Sequence, residues 1–130
     1  GTTSNSGTNA ISIDTSGNST FNGVVTAPDF NSTSDINLKT NIKPILSPLS
    51  KLLQLNGVTF NWKKDDRPSV GVIAQEVEEV LPQLVQNRDN GYKAVKYDKM
   101  VALLIEGIKE QQIFIEDIES QLKELENKLK

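Results

Sequence analysis

Side chains that can do chemistry are unevenly supplied in this sequence. Its 130 residues include no histidine and no cysteine, which removes the commonest general base, the commonest metal ligand and every thiol nucleophile. A hydrolase built from what remains must use a lysine or a carboxylate as its base. Asp65, Asp66, Glu76, Glu78 and Glu79 lack the pattern of a metal or glycosidase site and read as surface charges, the three glutamates facing water from a short helix. There is no phosphate loop and no Gly-rich dinucleotide fingerprint, and no metal or cofactor is expected. By pattern alone Ser34 is one serine among many and Lys39 one lysine among many.

Charge and hydropathy narrow the class. Fourteen basic residues stand against seventeen acidic ones, a formal net charge of −3, whereas domains that bind nucleic acid electrostatically are usually basic. No apolar run approaches the roughly 20 residues that span a bilayer, and no charged-then-apolar leader opens the sequence. The expectation is a soluble chain with neither a nucleic-acid nor a membrane partner. Needing no disulfide, it can assemble in a reducing compartment.

The elements that would position any site fall into three parts. Residues 1–33 are mostly Gly, Ser, Thr and Asn, the composition of a flexible linker. Within them Ile11 and Ile13 alternate with polar residues, Ser16-Gly17-Asn18 supplies a turn, and Thr20, Phe21, Val24 and Val25 form a second β-prone run. The part reads as either a linker or the β-rich end of a fibre shaft, ordered only by pairing with more sheet. Residues 34–97 read as a small α+β body. A helix is expected from Pro44, with Ile45, Leu49, Leu52, Leu53 and Leu55 at helical spacing. Val58–Trp62 and Val70–Ala74 form a hairpin, Gln75–Leu81 is a brief helix ended by Pro82, and a second hairpin turns at Asp89-Asn90-Gly91. So short a body buries only about 60% of its surface on folding and needs further copies or further chain.

Residues 98–130 carry a heptad. Val101, Ile108, Ile115, Leu122 and Leu129 hold one seam position, and Leu104, Gln111, Ile118 and Leu125 the other. β-branched residues at both positions favour more than two strands, with Gln111 as a register specifier, so a parallel trimeric coiled coil is expected. The extra apolar residues Leu103, Ile105 and Phe114 suggest that the first half of this helix also packs on the body. The charges between the seams read as a solvated face.

Four runs of residues give this chain a resemblance. They are Ser34-Asp35-Ile36-Asn37-Leu38-Lys39-Thr40-Asn41-Ile42-Lys43-Pro44-Ile45, Phe60-Asn61-Trp62-Lys63, Gly71-Val72-Ile73-Ala74-Gln75-Glu76-Val77 and Gly91-Tyr92-Lys93-Ala94-Val95-Lys96-Tyr97. In this order they closely resemble the peptidase S74 family, the C-terminal intramolecular chaperone domains of phage tailspikes, tail fibres, neck appendages and endosialidases. The resemblance implies a homotrimer that guides folding of an upstream β-rich fibre segment in the host cytoplasm and then releases itself. It also implies Ser34 as nucleophile, Lys39 as its base, and cleavage between Thr33 and Ser34. The family varies after the serine, which makes Asp35 a weak choice for an essential residue.

The chemistry so implied has requirements of its own. A free lysine titrates near 10.4, so a lysine base at neutral pH needs a downward shift of roughly three units, a bias of about 4 kcal/mol. Desolvation on trimer assembly and positive neighbours such as Lys43 and Lys63 both push that way. Oxyanion stabilisation is assigned to Asn41 or to N–H groups near the helix beginning at Pro44. Three readings stay open at this point: Lys39 as a structural cation pairing with Asp35, the whole as a non-cleaving trimeric cap, and the tail as an adaptor for a foreign protein.

Overall fold

The structure, a computed structural model, describes residues 11–130, in two compact units with their boundary between Ile42 and Lys43. In the first unit β1 (Ile11–Ile13) pairs antiparallel with β2 (Ser19–Phe21), placing Ile11 opposite Phe21 and Ile13 opposite Ser19. The turn is closed by Asp14 N donating to Asn18 O and Gly17 N to Asp14 O, both at 3.0 Å. Gly17 sits at φ 83, a left-handed conformation that costs a residue with a Cβ about 1–2 kcal/mol. Ile11, Ile13 and Phe21 are exposed on this hairpin, and Val24 and Val25 lie beyond its end, outside any strand.

The second unit begins with a departure from expectation. The helix expected from Pro44 starts instead at Pro48, as α1 (Pro48–Leu52). A helix running from Pro44 would set the Pro48 ring against the Pro44 carbonyl, and the residue before a proline is itself kept out of the right-handed helical region. Ser47 accordingly stands at φ 50, ψ 51, and Pro48 takes the first helical position, where its missing N–H is no loss.

Strands β3 (Val58–Asn61) and β4 (Pro68–Gly71) form the expected first hairpin, in a register that pairs Val58 with Gly71 and Asn61 with Pro68. The second strand is thus shifted toward the turn, and Val72 and Ile73 fall outside it. The loop is pinned where Trp62 N donates to Arg67 O at 3.0 Å and Asp66 N to Trp62 O at 2.8 Å. Helix α2 (Ala74–Val80) follows, with Val77 wholly buried. After a 3-10 turn at Pro82–Leu84, β5 (Val85–Asn87) and β6 (Lys93–Val95) make the second hairpin. It packs against α2. Its turn has Arg88 N donating to Tyr92 O at 2.9 Å, Gly91 N donating to Arg88 O at 3.0 Å, and Gly91 at φ 80.

The last element, α3 (Met100–Lys128), is a helix of 29 residues. Its first turns hold α1. Leu103 is 1% exposed, Gly107 is buried where a Cβ would run into Leu52 Cδ1, and Glu110 Oε2 accepts from Leu49 N at 2.8 Å. That bond satisfies one of the backbone donors left open at the start of a helix. Leu103 therefore packs on the body as expected, whereas Ile105 and Phe114 are exposed, and so is every residue from Gln111 onward.

Few apolar side chains are buried in the single chain. Among the described residues the buried hydrophobic ones are Val77, Leu84 and Leu103. An open apolar groove of about 510 Å³ runs between the β3–β4 hairpin and the start of α3, with Val58, Val70 and Val72 on one wall and Met100, Val101 and Leu104 on the other.

Candidate functional site

Ser34 and Lys39 meet. Lys39 Nζ donates to Ser34 Oγ at 2.7 Å, within the range in which a base can take a hydroxyl proton. Between them Ile36–Leu38 form a single 3-10 turn, in which Leu38 N donates to Asp35 O at 3.2 Å and Lys39 N to Ile36 O at 3.1 Å. Asp35 caps the turn: its Oδ1 accepts from Asn37 N at 2.8 Å and from Asn37 Nδ2 at 2.9 Å. The carboxylate is thus engaged with Asn37 while the ammonium of Lys39 is engaged with the serine, which weakens the reading of Lys39 as a cation paired with Asp35.

Asn41, two positions beyond Lys39, has φ 52, a left-handed conformation that Asn adopts more readily than most residues. Thr33, Ser34, Lys39 and Asn41 are all exposed in the single chain. The helix start invoked near Pro44 as a source of oxyanion donors is absent, because α1 begins at Pro48. Sequence reasoning passed over Asp35 and Asn37 as contributors to local geometry. The available signal was an Asp two residues before an Asn, the pattern of a side chain accepting from the backbone two positions on.

The carboxylates read as water-facing need correction in part. Glu78 Oε1 takes Lys93 Nζ at 2.8 Å, Lys93 also donates to Asn87 Oδ1 at 2.7 Å, and Glu76 Oε2 accepts from Asn56 Nδ2 at 3.1 Å. Both glutamates are half-buried and Glu79 is exposed. The cause is the second hairpin, which packs on α2 and brings Lys93 onto the same side of the helix as Glu78. These contacts join structural elements. Asp65 and Asp66 stay at the loop tip, with Asp65 near Arg67 and Asp66 Oδ1 accepting from Asn61 Nδ2 at 2.9 Å.

Along α3 the heptad positions form a continuous exposed stripe. Val101, Leu104, Ile108, Ile115, Ile118, Leu122, Leu125 and Leu129 are between 43% and 80% exposed, and Gln111 is exposed among them. No helix among the described residues is long and apolar enough to cross a membrane.

Comparison with known proteins gives the arrangement a context. Residues 34–86 match the family described as Peptidase S74, chaperone of endosialidase. Over that stretch the chain belongs to the peptidase S74 family. Its S74 segment begins at Ser34, the residue that lies against Lys39. Similar curated proteins are long tail fibre proteins Gp37. That of Salmonella phage S16 is 35% identical over 119 residues, covering 83% of this chain and 16% of the relative. That of Enterobacteria phage K3 is 32% identical over 107 residues, covering 75% of this chain and 9% of the relative. The chain therefore spans a small fraction of the length of these relatives.

Proposed function

We propose that this S74 chain is the self-releasing chaperone of a phage tail fibre: it trimerises through α3, promotes folding of the fibre segment upstream of Ser34, and then cuts the bond between Thr33 and Ser34. The contact of Lys39 Nζ with Ser34 Oγ at 2.7 Å carries the cleavage reading. The Gp37 relatives support the fibre, and with it virion assembly in the host cytoplasm as the setting.

The chemistry follows from the pair. Lys39 in its neutral form takes the Ser34 hydroxyl proton, and Oγ attacks the Thr33 carbonyl carbon. The tetrahedral oxyanion is met by Asn41 or by a neighbouring backbone N–H. Collapse returns the proton to the Ser34 nitrogen, which leaves as an amine, and Thr33 is left esterified to Ser34 Oγ. Water then hydrolyses the ester, yielding a Thr33 carboxylate and a Ser34 amino terminus with its hydroxyl restored. A neutral lysine is favoured by loss of solvent, so the pair, exposed in one chain, acts once copies assemble around it. Self-association has its own support in the exposed heptad stripe, in the open apolar groove at its upper end, and in a buried core of so few apolar residues.

One experiment tests both halves. The wild-type chain, Ser34→Ala and Lys39→Ala are sized by sedimentation equilibrium and their intact masses followed over time. A trimer is expected in all three, with a break after Thr33 in the wild type alone. A wild-type trimer that stays whole would remove the peptidase and leave a non-cleaving cap. A wild-type monomer would remove the trimer.

A further inference from the structure

We propose that Asp35 is a positioning residue for cleavage: it accepts the hydrogen bonds that shape the turn carrying Lys39 back to Ser34. The proposal rests on the reading of Ser34 and Lys39 as the cleaving pair.

The argument starts from reach. Five residues of extended chain would place the two Cα atoms about 16 Å apart, too far for a lysine side chain to close to hydrogen-bond distance. The intervening residues instead form one 3-10 turn, which rises only about 2.0 Å per residue. A single such turn is weak on its own, since its hydrogen bonds are poorly aligned and its nucleation is costly. Packing gives it no help within the chain, because no residue of the turn is buried and Ile36 and Leu38 are 69% and 72% exposed. Local hydrogen bonds therefore shape it, and two of them, from Asn37 N and Asn37 Nδ2, end on Asp35 Oδ1.

This assigns Asp35 the role of an acceptor and not that of a counter-ion. Its Oδ1 faces Asn37, and the Lys39 ammonium is turned to the serine. Asn and Ser supply a side-chain acceptor at a cap position nearly as well as Asp, whereas Ala supplies none. The charge of Asp35 should then be dispensable and its oxygen should not be.

The test compares single-turnover cleavage of the full chain in wild type, Asp35→Ala, Asp35→Asn and Asp35→Ser, with assembly checked by sedimentation and the rate followed across pH. Asp35→Ala is expected to slow cleavage about 5-fold, the population cost of losing one N-cap acceptor. Asp35→Asn and Asp35→Ser are expected to stay within about 2-fold of wild type, with the pH profile of cleavage unmoved. Asp35→Ala cleaving at the wild-type rate would overturn the proposal. So would Asp35→Asn failing as badly as Asp35→Ala or moving the pH profile, since either result makes the charge the active feature. The Asn and Ser variants decide the matter even where the Ala variant assembles poorly. A wild-type trimer that never cleaves removes the underlying pair as well, an outcome distinct from a difference among the Asp35 variants.

Discussion

The hairpins β1–β2 and β5–β6 close with the same turn and differ in everything beyond it. Each has a residue whose N–H and carbonyl both close the loop, Asp14 in one and Arg88 in the other, and each has a glycine at positive φ, Gly17 at 83 and Gly91 at 80. The first adds further closure, as the Asp14 carboxylate accepts from Ser16 N, Asn18 N and Asn18 Nδ2 at 2.8–2.9 Å. Yet its strands are almost wholly exposed. The second has α2 to lean on, the Lys93–Glu78 ion pair at its side, and Lys93, Ala94 and Val95 all half-buried. Turn chemistry is enough to set a register. What the rest of the unit owes to a hairpin depends on what the hairpin covers.

The largest way to break the contrast is to remove what β5–β6 leans on. Val77→Ala deletes two methyl groups from a fully buried side chain and should cost about 2–3 kcal/mol. It should appear as a lower urea midpoint of the second unit at fixed protein concentration, with the NMR shifts of residues 11–21 unchanged. A smaller effect separates the two glycines. A Cβ at Gly17 or Gly91 meets nothing within 4 Å, so alanine at either site suffers only the left-handed backbone, about 1–2 kcal/mol. Gly91→Ala should lower the melting temperature of the second unit, and Gly17→Ala should leave it in place while shifting the resonances of its own hairpin. Equal effects on that melting temperature would erase the distinction.

The smallest effect is electrostatic. Hydrogen bonds from the Asn18 side-chain amide, and then from the Asn18 backbone N–H, hold the Asp14 carboxyl below its ordinary value. A carboxyl lowered in this way supports the folded turn at pH above its unfolded value and loses that support as pH falls through the folded one. An NMR titration should find Asp14 titrating low, with Asn18→Ala raising it toward the ordinary value. An Asn18→Ala chain titrating where the wild type does would show that the amide is not the cause.

Much of this fold was legible because its signals are local or strongly periodic. Val58–Asn61 alternates, Gly91 follows Asn90 at a turn, and the seam from Val101 to Leu129 repeats in strict steps of three and four, so the hairpins and the long helix lie close to where the pattern put them. The helix expected at Pro44 failed because the spacing of Ile45 and Leu49 outweighed a steric fact available in the same stretch, that Pro48 cannot sit in a helix interior. Glu76 and Glu78 were misjudged for a different reason, since partners such as Lys93 are brought to them by tertiary packing that no spacing along α2 encodes. At the candidate site, a serine and a lysine five residues apart carry almost no information as a pattern. Their contact is made across one 3-10 turn whose cap is Asp35.

The 29 residues of α3 extend about 44 Å, and the body braces only their upper end. The portion beyond Gln111 is an amphipathic helix that no other described residue covers, and in proteins most helical stability comes from packing an amphipathic face. Translation makes this segment after every residue of the body. In the proposed scheme a nascent chain broken off before α3 cannot recruit partners, and so never reaches the state in which Ser34 cuts. On that proposal the helix limits release to polypeptides whose synthesis has passed beyond the body.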